Sequence, residues 1–305
     1  MHVTDPVRHI LTHYERDCPG TKTNLARLLM HGQLGGTGRL LVLPVDQGFE
    51  HGPTRSFASN PPAYDPHYLF RLAIDGRLSA LAAPLGLLEA GADSFAGSVP
   101  LILKANNANG LAREQDQAVT ATVRDALQLG CAAIGYTIYF GADAQYEQIE
   151  EVREAIAEAR DHGLVVVVWA YPRGGDLSKD GRTALDVVSY AVHMAALMGA
   201  HVIKTKAPAM HLERDNADEV FDGVETASLS ARVSHVMRCA FESRRIVLFS
   251  GGGAKAEDDV LDEIRAIHRG GGTGSIIGRN TFQRPKHEAL GMLKRIAATY
   301  RGEVA

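Results

Sequence analysis

Two lysines, Lys204 and Lys206, lie in the largely apolar segment VIKTKAP. Lysine is seldom buried in a protein interior without a specific reason. Because the two residues are separated by one position, their side chains would lie on the same face of a β-strand. If that face is enclosed, desolvation and like-charge repulsion both favour a neutral amine, which can attack a carbonyl and form a Schiff base. The spacing leaves open which lysine reacts, and also whether either side chain instead extends into solvent.

Aromatic and acidic side chains end two other apolar segments. Trp169 and Tyr171, in VVVVWAYPRGG, share a strand face by the same two-residue rule. A tyrosine hydroxyl can act as a general acid or base beside an iminium carbon, although an aromatic pair can also simply fill the mouth of a barrel. Asp46, in LPVDQGFEHGP, could position a substrate hydroxyl or stabilise a protonated lysine. Its other interpretation is a helix cap, which is disfavoured because Gly48 and Pro53 are expected to delay any helix.

Two glycine-rich segments, SGGGAK and IIGRNTFQR, predict a phosphate site. Glycine leaves the backbone amides accessible to an anion, and phosphate sites recur after the last two strands of α/β-barrels. One such turn is a weak signal, whereas two turns with an arginine are a stronger one. A second anion site could use Arg173 or Lys255, and the sequence does not decide between them. The predicted phosphate-binding residues are Ser250, Gly251, Gly252, Gly278 and Arg279.

Histidine and cysteine patterns indicate neither a metal centre nor a disulfide framework. The chain has 13 histidines, but no HxxxH, HxH or His/Asp cluster follows a predicted strand, and a catalytic zinc needs three convergent ligands. The cysteines Cys18, Cys131 and Cys239 are far apart and suit a reducing compartment. We therefore expect no metal, no cofactor and a cytoplasmic location.

Charge and hydropathy exclude two kinds of partner. A formal net charge of -4 and a pI near 6.4 imply no broad surface for nucleic acid. No segment approaches the roughly 18 consecutive apolar residues of a membrane span, and the N-terminus lacks the apolar core of a secretory signal. We expect a soluble protein with a small-molecule substrate.

Eight short apolar segments alternate with longer amphipathic stretches from about residue 40 onward. Each segment is almost continuously apolar, as expected for parallel strands covered on both faces. Alternating strands and helices imply right-handed crossovers, and eight strands in 305 residues favour a closed barrel. The rival is an open doubly wound sheet, but the first strand lacks the dinucleotide-binding glycine pattern. The eight segments are Leu40–Asp46, Leu78–Pro84, Pro100–Ala105, Ala132–Tyr136, Leu164–Tyr171, His201–Lys206, Ile246–Ser250 and Ser275–Arg279.

The pattern predicts a single (β/α)8 TIM barrel over residues 39–305, preceded by a short helical extension over residues 1–38. The extension could cover the bottom of the barrel or join a subunit interface. Asp143 is the predicted N-cap of a long helix that ends at Gly163. Residues 211–228 are polar and predicted to form a long loop. Because active sites of such barrels lie at the carboxyl ends of the strands, all the residues singled out above are expected to converge there.

The motifs LPVDQGFEHGP, IYFGA, VVVVWAYPRGG, GAHVIKTK, SGGGAK and IIGRNTFQR occur in order between Gly38 and Phe282. As a set they resemble the archaeal and bacterial DhnA-type class I fructose-bisphosphate aldolases. The resemblance implies a metal-free Schiff-base cleavage of fructose 1,6-bisphosphate to dihydroxyacetone phosphate and glyceraldehyde 3-phosphate. It also implies a homo-oligomer such as an octamer or decamer. A related Schiff-base aldolase, transaldolase or thiolase with another phosphorylated keto substrate is the alternative.

The resemblance also implies roles for individual residues. Lys204 would carry the Schiff base, with Lys206 as the neighbour that lowers its pKa. Tyr171 would transfer protons, Trp169 would line the pocket, and Asp46 would match the aspartate of the first strand. The two glycine-rich segments would bind phosphate. The loop after Lys206 departs from the family pattern, so the resemblance assigns no contacts there.

Overall fold

Eight parallel strands close into a barrel in the computed structural model, which describes residues 2–303. Neighbouring strands follow one another in the chain, and the barrel closes where Leu41 pairs with Ser275. All eight predicted segments therefore form the strands of a (β/α)8 barrel, and the open sheet is excluded. The barrel strands are β1 Leu40–Pro44, β2 Ala80–Pro84, β3 Leu101–Lys104, β4 Ala133–Ile138, β5 Val165–Ala170, β6 Val202–Lys206, β7 Ile246–Ser250 and β8 Gly274–Ile276.

Helices surround the barrel and link its strands. Within residues 2–303, none of them combines the length and the apolar character needed to cross a membrane. A two-residue antiparallel ladder, Asn106–Asn107 with Ala118–Val119, follows β3. The helices are α1 Asp5–Thr12, α2 Pro19–Leu29, α3 Gln47–His51, α4 Pro53–Phe57, α5 Pro66–Asp75, α6 Leu85–Glu89, α7 Val123–Gln128, α8 Gln145–Asp161, α9 Leu185–Leu197, α10 Ala217–Val220, α11 Leu229–Cys239, α12 Glu257–Arg269, α13 Arg279–Phe282 and α14 Lys286–Tyr300.

Side chains alternate between two apolar cores along every strand. Residues such as Leu43 and Val166 pack outward against the helices. Val167 and Val202 instead belong to a second cluster inside the barrel. Lys204 lies two residues after Val202, so its side chain points into the barrel, as the sequence predicted.

The first two helices close the amino end of the barrel. Val7 and Leu25 are fully buried and join the inner cluster. Beside them, the Tyr14 hydroxyl donates a 2.6 Å hydrogen bond to the carbonyl of His201 at the start of β6. The N-terminal segment therefore covers the bottom of the barrel, one of the two positions expected for it.

A buried polar cluster fastens this segment to the barrel. Nδ1 of His201 accepts the backbone N–H of Val166 at 2.8 Å, so its Nε2 carries the proton that faces Asp17 at 3.0 Å. The Asp17 carboxylate also lies 3.3 Å from the Arg160 guanidinium. Burial lowers the pKa of His201, which keeps the imidazole neutral and suited to both contacts.

Three local predictions are wrong. Asp143 does not cap α8, because that helix begins after Ala144, which has no polar side chain. The predicted end of α8 before Gly163, which adopts φ +73°, is confirmed. Helix α3 begins directly after Asp46, although the glycines were expected to delay it, and the Asp46 side chain makes no capping bond. The loop over 211–228 contains the short helix α10.

Candidate active site

A cavity of about 100 Å³ opens at the carboxyl ends of the strands. Nine of the ten predicted site residues line it, and the tenth, Trp169, is buried beneath Lys204. A larger cavity of about 730 Å³ lies at the other end of the barrel beside α2, away from these reactive groups. The predicted residues that line the smaller cavity are Asp46, Tyr171, Lys204, Lys206, Ser250, Gly251, Gly252, Gly278 and Arg279.

Lys204 lies on β6 with 3% of its surface exposed. Its Nζ is 5.0 Å from the ring centre of Trp169 and 5.4 Å from that of Tyr171. Trp169 and Lys204 are register partners on adjacent strands, which explains the first contact. The aromatic faces stabilise a cation at Nζ, whether an ammonium or an iminium.

The indole of Trp169 fits inside the barrel because β4 carries a glycine opposite it. A Cβ at Gly135 would lie 2.1 Å from the Trp169 ring. Any other residue at this position would displace the indole and with it the surface on which Lys204 rests.

Lys104, at the end of β3, is a site residue that sequence reasoning did not select. It is 2% exposed, and its Nζ lies 5.6 Å from the Trp169 ring centre while donating to Asn106 Oδ1 at 2.8 Å. Burial lowers the pKa of Lys104 to about 7, an effect that Asp46 opposes and the charge of Lys204 increases. The available signal was its position at a strand end, which it shares with Lys204.

Lys206 is half-buried and lines the cavity. Burial lowers its pKa to about 8, and the nearby cations Arg173 and Arg182 add to the shift. The role that the resemblance gives to Lys206 remains a prediction, whereas Lys104 interacts electrostatically with Lys204.

Acidic groups border the cavity on the side of β1. Asp46 is 8% exposed, and its Oδ1 accepts no hydrogen bond from residues 2–303. Glu50, which the sequence reasoning also missed, lies on α3 with a carboxylate oxygen 3.5 Å from Arg173. Both carboxylates and Tyr171 also line a second, smaller cavity that contains Lys104. The lysines therefore face carboxylates that can balance their charge.

Backbone amides that follow β7 and β8 also border the cavity. Within residues 2–303, the N–H groups of Gly251, Gly252 and Gly278 donate to no backbone or side-chain acceptor. Gly252 adopts φ +67°, a conformation that glycine reaches without strain. Arg279 adds its guanidinium to this side of the cavity. Free amides beside a guanidinium are the groups that an anion site requires, and the phosphate-binding role of these residues remains a prediction.

For the second anion site, the structure favours Arg173 over Lys255. Arg173 lines the cavity, whereas Lys255 pairs with Glu263 and does not line it. In the part of the chain that the structure describes, no three His, Cys, Asp or Glu side chains converge as a metal site would require.

A buried amine, a phenol, a carboxylate and an anion site around one cavity define a Schiff-base enzyme for a phosphorylated carbonyl compound. A model of the DeoC/LacD family aldolases matches residues 40–284. The chain belongs to this family of aldolases.

Individual relatives agree with this assignment. The chain is 35% identical over 290 residues to a probable class 1 fructose-bisphosphate aldolase of Chlamydia trachomatis, covering 91% of this chain and 83% of the relative. It is 34% identical over 248 residues to the class 1 fructose-bisphosphate aldolase of Halobacterium salinarum, covering 81% and 85%. An archaeal fructose-1,6-bisphosphate aldolase, solved with its catalytic lysine bound to the carbinolamine intermediate, is 31% identical with a TM-score of 0.73, covering 86% and 94%. The resemblance inferred from the motifs is confirmed.

Proposed function

We propose that this chain is a class I fructose-bisphosphate aldolase that uses Lys204 as the Schiff-base residue. It cleaves fructose 1,6-bisphosphate reversibly to dihydroxyacetone phosphate and glyceraldehyde 3-phosphate. The observation that carries the proposal is the buried Nζ of Lys204, over Trp169 and Tyr171, in a cavity with unpaired backbone amides. The identity of the sugar substrate is inferred from the relatives, which are named fructose-bisphosphate aldolases.

The reaction begins when the neutral amine of Lys204 attacks the C2 ketone of the open-chain sugar. The resulting carbinolamine loses its C2 hydroxyl as water and becomes an iminium. The positive nitrogen then accepts the electron pair of the C3–C4 bond as that bond breaks. The rings of Trp169 and Tyr171 stabilise the positive charge of the iminium.

Proton transfers fall to the groups beside Lys204. Tyr171 removes the proton from the C4 hydroxyl, so that the aldehyde can form, and returns a proton to C3 of the remaining enamine. Asp46 accepts a hydrogen bond from a substrate hydroxyl through its free Oδ1. Lys104, with its pKa near 7, exchanges protons readily at neutral pH and assists loss of water from the carbinolamine.

Two anion sites keep the substrate in register with Lys204. The amides of Gly251, Gly252 and Gly278, together with Arg279, bind the phosphate nearer to the reacting ketone. Arg173 binds the second phosphate and leaves its contact with Glu50 to do so. Such anchoring converts binding energy into correct orientation.

Borohydride trapping tests the proposal. The protein is incubated with dihydroxyacetone phosphate, reduced, and digested, and the labelled lysine is located by mass spectrometry. The label is expected on Lys204, to be absent from Lys204→Met, and to persist in the matched control Lys206→Met. A label on Lys206 alone, or no label on the native protein, contradicts the assignment. Release of glyceraldehyde 3-phosphate from fructose 1,6-bisphosphate then tests the substrate.

The resemblance also leads us to propose a cytoplasmic homo-oligomer, an octamer or decamer. Exposed apolar side chains on α9 and the loop after β6, namely Tyr190, Leu197 and Met210, are available for subunit contacts. Sedimentation equilibrium measures the subunit number directly, and a monomer at micromolar concentration contradicts this proposal.

A further inference from the structure

We propose that Asn280 is the positioning residue that holds the phosphate-binding loop over residues 250–255 in its anion-binding shape. The inference rests on the proposed function, because that loop is the one assigned to the substrate phosphate. Asn280 lies on α13, directly after Arg279, and is 1% exposed. It does not line the cavity, so its effect on phosphate is exerted through other residues.

The Asn280 side chain forms three hydrogen bonds, all to the backbone of this loop. Its Nδ2 donates to the carbonyls of Gly251 at 3.1 Å and Gly253 at 2.8 Å. Its Oδ1 accepts the N–H of Lys255 at 2.8 Å. One buried amide therefore fixes three peptide groups within five residues of loop.

These contacts determine where the loop amides point. In a trans peptide unit the carbonyl and the N–H point in opposite directions, and the described chain contains no cis peptide. Because the carbonyls of Gly251 and Gly253 turn towards Asn280, the N–H groups of Gly252 and Ala254 turn away from it. Neither N–H group has an acceptor within residues 2–303. Of these two residues Gly252 lines the cavity, so its N–H is free for an anion there.

The same residue joins the two halves of the anion site. Its backbone follows Gly278 and Arg279 after β8, whereas its side chain forms hydrogen bonds with the loop after β7. Arg284 strengthens the link by donating to the carbonyls of Asn280 at 2.8 Å and Lys255 at 2.6 Å. The distance between the two sets of phosphate-binding groups is thereby held before substrate arrives.

The chemistry of the contact selects asparagine. A primary amide offers two donors and an acceptor in one planar group, which matches two carbonyls and one N–H. Aspartate would set carboxylate oxygens against both carbonyls. The fit is close, since a Cβ at Gly251 would lie 3.2 Å from Nδ2 of Asn280.

Binding of inorganic phosphate, measured by calorimetry, tests the inference without any catalytic step. Asn280→Ala is expected to weaken phosphate binding roughly 10- to 100-fold, because the loop amides lose their fixed direction. The matched control is Thr281→Val, which removes a buried hydroxyl on the same helix that bonds only to the carbonyl of Ile277. It is expected to bind phosphate as the native protein does. Equal affinities for Asn280→Ala and the native protein, or no phosphate binding to the native protein, would overturn the inference.

A second measurement separates positioning from a general loss of structure. Borohydride trapping is compared for dihydroxyacetone phosphate and for unphosphorylated dihydroxyacetone. Asn280→Ala is expected to need a roughly 10- to 100-fold higher concentration of the phosphorylated ketone for half-maximal labelling, with no change for the unphosphorylated one. A parallel loss for both ketones would overturn the inference, because it would indicate disruption of the whole site. Should the alanine variant fail to fold, Asn280→Ser, whose short side chain keeps a polar group in the buried space but cannot bond to all three loop peptides, undergoes the same two tests with the same expected result.

The outcomes also distinguish this inference from the proposed function. If the native protein binds phosphate through Asn280 but traps no ketone, the Schiff-base proposal fails while the positioning role stands. If the native protein traps both ketones but Asn280→Ala binds phosphate normally, the proposed function stands and the positioning role fails.

Discussion

Both ends of the barrel bury polar side chains. His201 at the amino end and Asp46 at the carboxyl end differ in whether their polar atoms have hydrogen-bond partners. At the amino end, the ring nitrogens of His201 and the Tyr14 hydroxyl each have a hydrogen-bond partner, although the nearby Nε atoms of Arg160 and Arg245 have none among residues 2–303. At the carboxyl end, Asp46 Oδ1 and Trp169 Nε1 have none among residues 2–303. A buried polar atom without a partner costs stability, whereas a paired one fixes structure. The comparison indicates that His201 and Tyr14 maintain the fold at the amino end, and that Asp46 keeps a carboxylate oxygen available for a substrate at the carboxyl end.

The largest effect is expected from Lys204→Met. Cleavage of fructose 1,6-bisphosphate should fall by at least about a thousandfold, because no other group can form the iminium at that position. The free energy of unfolding should stay the same or increase, since an apolar side chain of similar length replaces a buried amine. Turnover and urea denaturation measure the two quantities. A large loss of stability would contradict the division between the two ends.

The converse change is His201→Leu at the amino end. It leaves the Val166 N–H without its acceptor and leaves Asp17 with Arg160 alone, at an expected cost of about 3 kcal/mol in the free energy of unfolding. Turnover per folded molecule should remain native, because the Lys204 site lies at the opposite end. Thermal unfolding and active-site titration provide the measurements. Reduced turnover in fully folded protein would show that the two ends are coupled.

Gly135→Ala is a change that should affect both properties. The added Cβ collides with the Trp169 ring, and overpacking of this kind costs about 1–3 kcal/mol of stability. The displaced indole also no longer supports the Lys204 cation, so turnover should decrease along with stability. Ala133→Val, which enlarges a residue two positions earlier on the same inner face, is the matched control for overpacking alone. Equal turnover in the two variants would show that the position of the Trp169 indole does not affect catalysis.

A further expected effect is a difference in pH dependence between the two ends. The pKa of Lys104 is lowered from 10.5 to about 7, so the unfolded chain binds more protons than the folded one between these values. The free energy of unfolding should therefore rise from pH 7 to pH 10, by at most about 1.4 kcal/mol per pH unit, and this gain is lost as pH falls through 7. Lys104→Met should remove the rise, as denaturation at several pH values would show.

At the amino end, stability is expected to change with pH over a lower pH range. The pKa of His201 is lowered from 6.5, so its contribution to stability is present above pH 6.5 and is lost as pH falls through the lowered value. Denaturation of the native protein and His201→Leu between pH 5 and 7 isolates this contribution. An identical pH dependence for the two proteins would contradict the neutral state of the buried imidazole.

The sequence was sufficient to predict the barrel because each strand is a continuous apolar segment covered on both faces. It was also sufficient to place Lys204 and Tyr171 at one end, since parallel strands present their carboxyl ends together. The domain boundary at residue 38 and the chemical roles of the site residues remain predictions.

Other features depend on distances that the sequence does not contain. Lys104 and Lys204 are a hundred residues apart, and only the closed barrel brings both amines to the face of Trp169. Glu50 was missed because α3 begins immediately after Asp46, where glycines suggested a loop. The cap predicted at Asp143 failed because a shift of one residue at a helix end changes which side chain reaches the free amides.

Trp169 is the only tryptophan in the chain. Fluorescence at wavelengths longer than tyrosine emission therefore originates from this one indole at the floor of the site. The centre of its ring lies 5.0 Å from Nζ of Lys204. In the proposed mechanism that amine becomes an iminium, which changes the charge over the indole, so the emission should respond at the rate of that step. The protein thus carries an optical reporter of its own covalent chemistry, which stopped-flow mixing can follow without a label.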